Sequence, residues 1–440
     1  MKQIIHGKYL ITMNEKDQII ENGALLVENG KIIDIDIFEE ILKKYNDPSI
    51  KIYGNSHSAV LPGFINTHTH SAMVLFRGIA DDLPLHKWLT EHIWPKEAKF
   101  LSPDFVYDGT LLACIEMLKS GTTSFNDMYF FTESIAKAAK DANIRAVVGQ
   151  GVLDFPTPSG SGAKDYLAKA EDFIKKFKSD NFIIPAVAPH AIYTCSKETL
   201  LSCKKLALKY GIPMHIHLSE TFQEVEDSIN RHGLRPIKYL DSIGFLEGKI
   251  IAAHCVWLDD EEIEIIAKHN VGISHCIESN LKLSSGIAPV AKMIRKGVKV
   301  SMGTDGAASN NNLDLLEEIS IAAKVQKGIN GDPTVLDVKT CMKMLTIWAA
   351  EGLGLEKEIG SLEIGKRADI ILINIRKPHL QPIYDIYSTI IYSAKVSDIE
   401  DVFVNGIPVI LNGRHQFIDQ EEIIDKASWW AERIKNSRSF

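Results

Sequence analysis

Between Leu61 and Leu362 the chain alternates short apolar runs with longer amphipathic stretches, and it does so eight times. The runs are GFINT from Gly63, TTSFND from Thr122, IRAVVGQG from Ile144, IIPAVA from Ile183, IPMHIHL from Ile212, IIAAHC from Ile250, VGISHC from Val271 and VKVSMGTD from Val298. Near-continuous apolar runs of this length read as strands buried on both faces, and helical crossovers between them make the sheet parallel. Eight such units closed into a barrel take typically about 250 residues, close to the length present here. The expected fold class is therefore α/β, with a (β/α)8 barrel over residues 61–362 as the catalytic domain and an open sheet as the alternative.

The two ends of the chain read differently. Residues 1–60 carry the β patterns IIHGKYLITM and ALLVENGKIIDI, the second around an Asn29-Gly30 pair suited to a tight hairpin. Residues 363–440 repeat that signature in ADIILINI and VFVNGIPVIL, with Asn405-Gly406 at the turn. The expectation is a small β-sandwich built from both ends. A terminal helix follows from Asp419, acidic at its start and basic at its end, as the helix dipole favours. The stretch TPSGSGA, Thr157 to Ala163, reads as a flexible loop after the third barrel strand and a candidate lid.

Bulk properties narrow the partners. Of the 440 residues 45% are apolar and 24% charged, the balance of a globular protein with a large core. The net charge of −8 is spread along the sequence with no basic stripe, which argues against a nucleic-acid partner and for a small molecule. MKQIIHGKYLITMNEK holds no apolar signal core, and no uncharged run is long enough for a bilayer, so a cytoplasmic protein without a membrane partner is expected. The six scattered cysteines, with no Cys-x-x-Cys pair, read as reduced and mostly buried thiols. A homo-oligomer is left open.

Chemistry gathers at the ends of the eight runs. The first ends in His68 and His70, the fourth in His190, the fifth in His217 followed by Glu220, the sixth in His254, the seventh in His275 and the eighth in Asp305. In a (β/α)8 barrel those ends form the rim that carries the active site. One His-x-His is weak evidence in a chain with 15 histidines. Core histidines explain one or two positions, but not ligand-type or acid/base residues on six strands at one rim. His68, His70 and His217 with Asp305 suit one divalent ion, most readily Zn2+ with Fe2+ or Mn2+ as alternatives, and leave a position for water. Such an ion brings the pKa of its water towards ~7. No lysine ends the fourth strand to form a metal-bridging carbamate, so one ion is expected rather than two. His215 shares the face of His217 but lies deeper, and is assigned to packing.

The stretches PGFINTHTHSAMVLFRG, APHAIYTCS, MHIHLSET, AAHCVWL, SHCIESNLKLSSGIAP and GTDGAASNNNLDL resemble the amidohydrolase superfamily, specifically its branch of methylthioadenosine/S-adenosylhomocysteine deaminases. The resemblance implies hydrolytic replacement of the adenine 6-amino group in a 5′-modified adenosine, giving the inosine analogue and ammonia. Methylthioadenosine, S-adenosylhomocysteine, 5′-deoxyadenosine and adenosine are the substrates it covers. It makes His68, His70, His217 and Asp305 the metal ligands and Glu220 the shuttle that protonates the purine ring. His254 would polarise the water and the developing oxyanion, and Asp305 would take the water's proton. Glu97 would hold the ribose hydroxyls and His190 would contact the nucleoside. Trp88 is a candidate for the adenine pocket, although a tryptophan in LHKWLTEHIW is as often plain core.

One departure concerns the substrate's tail. Where the family carries arginines near the third strand, RAVVGQG places Gln150, which cannot form a charge-assisted fork with a carboxylate. Lys164, after the Gly/Ser loop, is the candidate replacement as a point charge. Within the same superfamily the alternative activity is removal of chloride or an amine from a triazine or other heterocycle, which has no ribose for Glu97 to hold. A metal-free interaction protein would have lost ligands, and none is missing.

Overall fold

The computed structural model describes residues 2–437. Each of the eight runs forms a strand: Phe64–Thr69, Thr122–Tyr129, Arg145–Val152, Ile183–Pro189, Met214–Leu218, Ile250–His254, Gly272–His275 and Val300–Met302, adjacent in chain order in one eight-stranded sheet. Every residue in these strands except Ile184 is buried, which is why they read as continuous apolar runs rather than alternating ones. The last strand returns to the first. The backbone N–H of Asp305 donates to the His68 carbonyl at 3.0 Å. Asn66 Nδ2 donates to Thr304 Oγ1 at 2.8 Å, and Thr67 Oγ1 donates to the Met302 carbonyl at 2.8 Å. The strands are so close here that a Cβ on Gly303 would lie 2.8 Å from the His68 Cβ and 2.3 Å from Ser274 Oγ. Only glycine fits that seam.

The two ends of the chain build a second sheet, of nine strands. Lys51–Pro62 pairs parallel with Lys2–Ile11 on one side and antiparallel with Ile370–Asn374 on the other, Val60 standing opposite Leu372. Hydrogen bonding makes it one continuous mixed sheet. Ile5, Leu25, Val27, Ile370, Leu372 and Phe403 share a buried cluster on it. Both Asn-Gly pairs form turns with positive φ at each residue: 51° and 80° at Asn29-Gly30, 50° and 69° at Asn405-Gly406. The turns meet through Ala368, whose N–H donates to Gly30 at 2.9 Å and whose carbonyl accepts from Gly406 at 2.8 Å.

Two compact units result, Met1–Ile65 with Ile115–Ser124 and Asp314–Ile418, and Asn66–Cys114 with Phe125–Leu313 and Asp419–Phe440. The terminal helix Gln420–Lys435, capped by the Asp419 side chain, falls in the second unit. There Trp430 Nε1 donates to Asp108 at 2.8 Å, and its ring sits edge-on to Phe105 at 5.2 Å. All six cysteines are buried, and among the described residues none forms a disulfide. Among the described residues no helix is long and apolar enough to cross a membrane.

Candidate active site

The alternation of a strand puts His68 and His70 on one side of the first strand's end, and the fifth strand brings His217 to them. His70 Nδ1 lies 2.6 Å from the Met128 carbonyl, and His217 Nδ1 lies 2.9 Å from the His190 carbonyl. A carbonyl only accepts, so each ring carries its proton on Nδ1 and leaves Nε2 bare. Those two bare nitrogens stand 3.1 Å apart. Facing lone pairs at that distance repel each other unless a cation lies between them. Among the described residues His68 Nε2 is buried without a hydrogen-bond partner, and Asp305 Oδ1 lies 3.3 Å from it and 3.4 Å from His70 Nε2. His68, His70 and Asp305 form one group able to hold a metal ion; His68, His217 and His254 form another. Nitrogen and carboxylate donors of this kind fit a divalent ion of the zinc class.

Burial keeps two of these rings neutral, lowering His68 to about 4 and His217 well below its ordinary value. Burial alone would raise the Asp305 carboxyl, but the His68 imidazole facing it at 3.3 Å, with the other histidines around it, holds it well below the carboxylate range. Ser279 and Ser309 donate to Asp305 Oδ2 at 2.6 and 3.0 Å, which orients Oδ1 towards the imidazoles.

Glu220 follows the fifth strand at the mouth of a tight turn in which Ser219 adopts φ 51°. Its Oε2 lies 3.7 Å from His254 Nε2, and its Oε1 accepts from Ser285 at 3.1 Å. Burial first, then the charge of Asp305, pushes its carboxyl up to about 8, so it holds a proton at neutral pH. His254 and Asp305 also sit at positive φ, 72° and 59°. Such backbone outliers persist only where surrounding structure enforces them, and they cluster at active sites. Asn280 Nδ2 lies 3.0 Å from His254 Nδ1; an amide N–H donates there, which leaves the ring proton on Nε2.

These groups open into a cavity of about 260 Å³, lined by His70, His190, His217, Glu220, His254 and Asp305 among others. Glu97 lines it too. Its helix, Trp94–Phe100, continues a wider-wound stretch at Trp88–Ile93, and Tyr129 donates to Glu97 Oε1 at 2.5 Å. Burial raises the Glu97 carboxyl, so the residue is no exposed helix end. Trp88 is 5% exposed and lines the cavity, and among the described residues its Nε1 has no acceptor. Gln150 and Lys164 do not reach it. The Gln150 amide is buried and donates to the Gly151 carbonyl at 2.9 Å, while Lys164 projects to solvent from the start of the helix Ala163–Phe177. The seventh strand's His275 is fully buried and is not among the residues that line this cavity.

Several contributors were not legible as such. His215 does more than fill space: its Nε2 lies 2.8 Å from His68 Nδ1 and orients that ring. Its place two residues before His217, on the same strand face, was the available signal. Glu224 accepts from the backbone N–H groups of Ser219 and Glu220, both at 2.9 Å, and so holds the turn that carries Glu220. It stands at the start of the helix Phe222–His232, whose cap Thr221 accepts from the Glu224 N–H at 3.1 Å, and this Thr-x-x-Glu spacing is a recognisable helix-start pattern.

Fold and rim together define a (β/α)8 barrel hydrolase with three imidazoles and a carboxylate converging at its C-terminal face. The chain belongs to the amidohydrolase family, whose model matches residues 59–409. It is 79% identical over 434 residues to the 5-methylthioadenosine/S-adenosylhomocysteine deaminase of Thermodesulfovibrio yellowstonii, covering 99% of each chain. It is 43% identical over 433 residues to the 5′-deoxyadenosine deaminase of Methanosarcina acetivorans, covering 98% of each. Among solved structures it is similar to an adenosine deaminase from Xanthomonas campestris with bound zinc, at a TM-score of 0.96 and 37% identity over 98% of each chain.

Proposed function

We propose that this protein hydrolyses the 6-amino group from 5′-modified adenosines, yielding the inosine analogue and ammonia. One divalent ion, zinc by the chemistry of its donors, would be held by His68, His70, His217 and Asp305. The observation that carries the reading is the pair of bare imidazole nitrogens 3.1 Å apart, beside a carboxylate and at the base of a pocket that also holds a protonated Glu220. The names of the two relatives and of the solved neighbour support a nucleoside substrate for this chain.

When bound, the ion supplies a water that ionises near neutral pH. Asp305 would accept a proton from the attacking water. Glu220 donates its proton to the ring nitrogen beside the amino-bearing carbon. Its carboxylate then takes the proton of the hydroxyl added to that carbon and passes it to the amine, which leaves as ammonia while a carbonyl forms. The proton held by Asp305 restores Glu220; positioned acid/base groups contribute typically about 10²–10⁴ in rate. His254 presents its Nε2 proton towards Glu220, where it stabilises the oxygen added to the ring. Glu97, held by Tyr129, takes the ribose hydroxyls, and His190 and Trp88 bound the base.

The test is turnover of methylthioadenosine by zinc-loaded protein, followed by ammonia release and the loss of the adenine absorbance. Glu220→Gln should keep its metal and lose at least about 10² in kcat. Absence of turnover with every 5′-substituted adenosine, alongside turnover of a chlorinated triazine, would overturn the proposal.

A further inference from the structure

Two segments complete the pocket wall, and they touch. Leu89, Ile93 and Trp94 come from the helical stretch that carries Glu97, and Phe155, Pro156 and Pro158 come from the loop after the third strand. Trp94 and Phe155 meet edge to face, with ring centroids 5.9 Å apart. Trp94 precedes Glu97 by three residues on the same helix, so the two share a helix face one turn apart. A nucleoside with its reacting carbon at Glu220 and its ribose at Glu97 therefore brings its 5′ carbon to the aromatic pair.

That compartment contains no counter-charge for an anion. Among the described residues no lysine or arginine lines the pocket. Gln150 turns its amide onto Gly151, and Lys164 faces solvent. Phe155 and Tyr193 also line a second cavity, of about 610 Å³, and it is this one that carries Lys197 and Arg231. Phe155 stands between a space without lysine or arginine and one with both. The loop that holds it is anchored: Thr157 and Gly160 exchange backbone hydrogen bonds at 2.9 and 3.0 Å, and the hydroxyl of buried Tyr166 lies 2.9 Å from both Thr157 Oγ1 and the Gly160 carbonyl.

Resting on the nucleoside reading above, we infer that Trp94 and Phe155 determine specificity: they close an apolar compartment over the 5′ substituent. The compartment favours short uncharged tails, thioethers above all, over tails ending in an amino acid. A thioether gains from contact with aromatic rings. A carboxylate placed against the same rings loses part of its water and finds no lysine or arginine in exchange.

The experiment compares kcat/KM for methylthioadenosine, 5′-deoxyadenosine, adenosine and S-adenosylhomocysteine with zinc-loaded wild-type protein, then with Phe155→Ala. Methylthioadenosine should exceed S-adenosylhomocysteine by at least about tenfold, since an unpaired buried charge costs at least that much. Phe155→Ala should shrink the ratio several-fold, through a raised KM for the thioether and a lowered one for the amino-acid tail. Equal or better use of S-adenosylhomocysteine by the wild type overturns the inference while leaving deamination intact, and this arm requires no variant to fold. A ratio unmoved in folded Phe155→Ala overturns the role of Phe155. Failure to deaminate any of the four removes the underlying reading.

Discussion

Glu224 illustrates how a residue absent from the pocket wall governs one within it. Its two carboxylate oxygens each receive a backbone N–H, from Ser219 and Glu220, and Ser219 is held at φ 51° by the arrangement. Glu224→Ala should cost about 10-fold to 10²-fold in kcat, because a displacement near 1 Å of a catalytic group is worth that much. Metal content and KM should hardly change; a loss of zinc would show that the residue acts on the ligands instead. His215 acts on the other side, and His215→Phe should weaken zinc affinity about 10-fold to 100-fold, as loss of a ligand's orienting partner typically does, measured by competition with a chelator. Glu220 links the site to pH. Its carboxyl is raised from 4.5 to about 8, so the folded metal-free protein holds that proton more tightly than the unfolded chain does. The stability this lends is full below about pH 4.5 and is lost as pH rises towards about 8. Denaturant midpoints of metal-free protein should therefore fall across that window, and Glu220→Gln should flatten the fall; an unchanged slope would mean that Glu220 is not the titrating group. At this scale the ligand-type residues were legible because barrel geometry places every strand end at one rim. Their hydrogen-bonding supports were not. Tyr129, Asn280 and Ser285 reach Glu97, His254 and Glu220 from distant segments, and no local spacing announces such partners.

At the scale of elements, the stretch from Phe155 to Gly162 departs from what its composition suggests. Serine and glycine read as flexibility, yet Tyr166 pins the loop from the next helix, with its ring wholly buried. The pin is tertiary, and a local reading of Ser/Gly content has no access to it. Tyr166→Phe removes the hydroxyl and keeps the ring. Hydrogen exchange at Phe155–Ser161 should speed up by about tenfold for each 1.4 kcal/mol of lost anchoring. Unchanged exchange would place the anchoring in the ring alone. The helical stretch from Leu85 to Phe100 was equally hard to judge, since WPKEAKF has the composition of a solvent-facing end. Its Glu97 turns inward because Tyr129 offers a partner there.

For the molecule as a whole, periodicity was enough to locate all eight barrel strands and the paired strands at both chain ends. It could not say which strands bond to which. The terminal segments do join, as one mixed sheet, and the order of its strands is settled by contacts such as Val60 opposite Leu372 that lie far apart in sequence. The seam between the last and first barrel strands makes its own prediction. Gly303→Ala forces a methyl group against His68 and Ser274, and overpacking of this kind costs about 1–3 kcal/mol. Thermal unfolding should report the drop, and zinc stoichiometry should fall with it; a fully loaded, equally stable variant would mean that the seam yields easily.

That seam has a further meaning for how the chain matures. The backbone bond that joins the barrel's two edges runs between His68 and Asp305, and those same two residues are proposed to grip the ion. A polypeptide that has not yet brought its eighth strand round to its first offers only scattered imidazoles, so tight capture of the ion doubles as proof that the circle is complete.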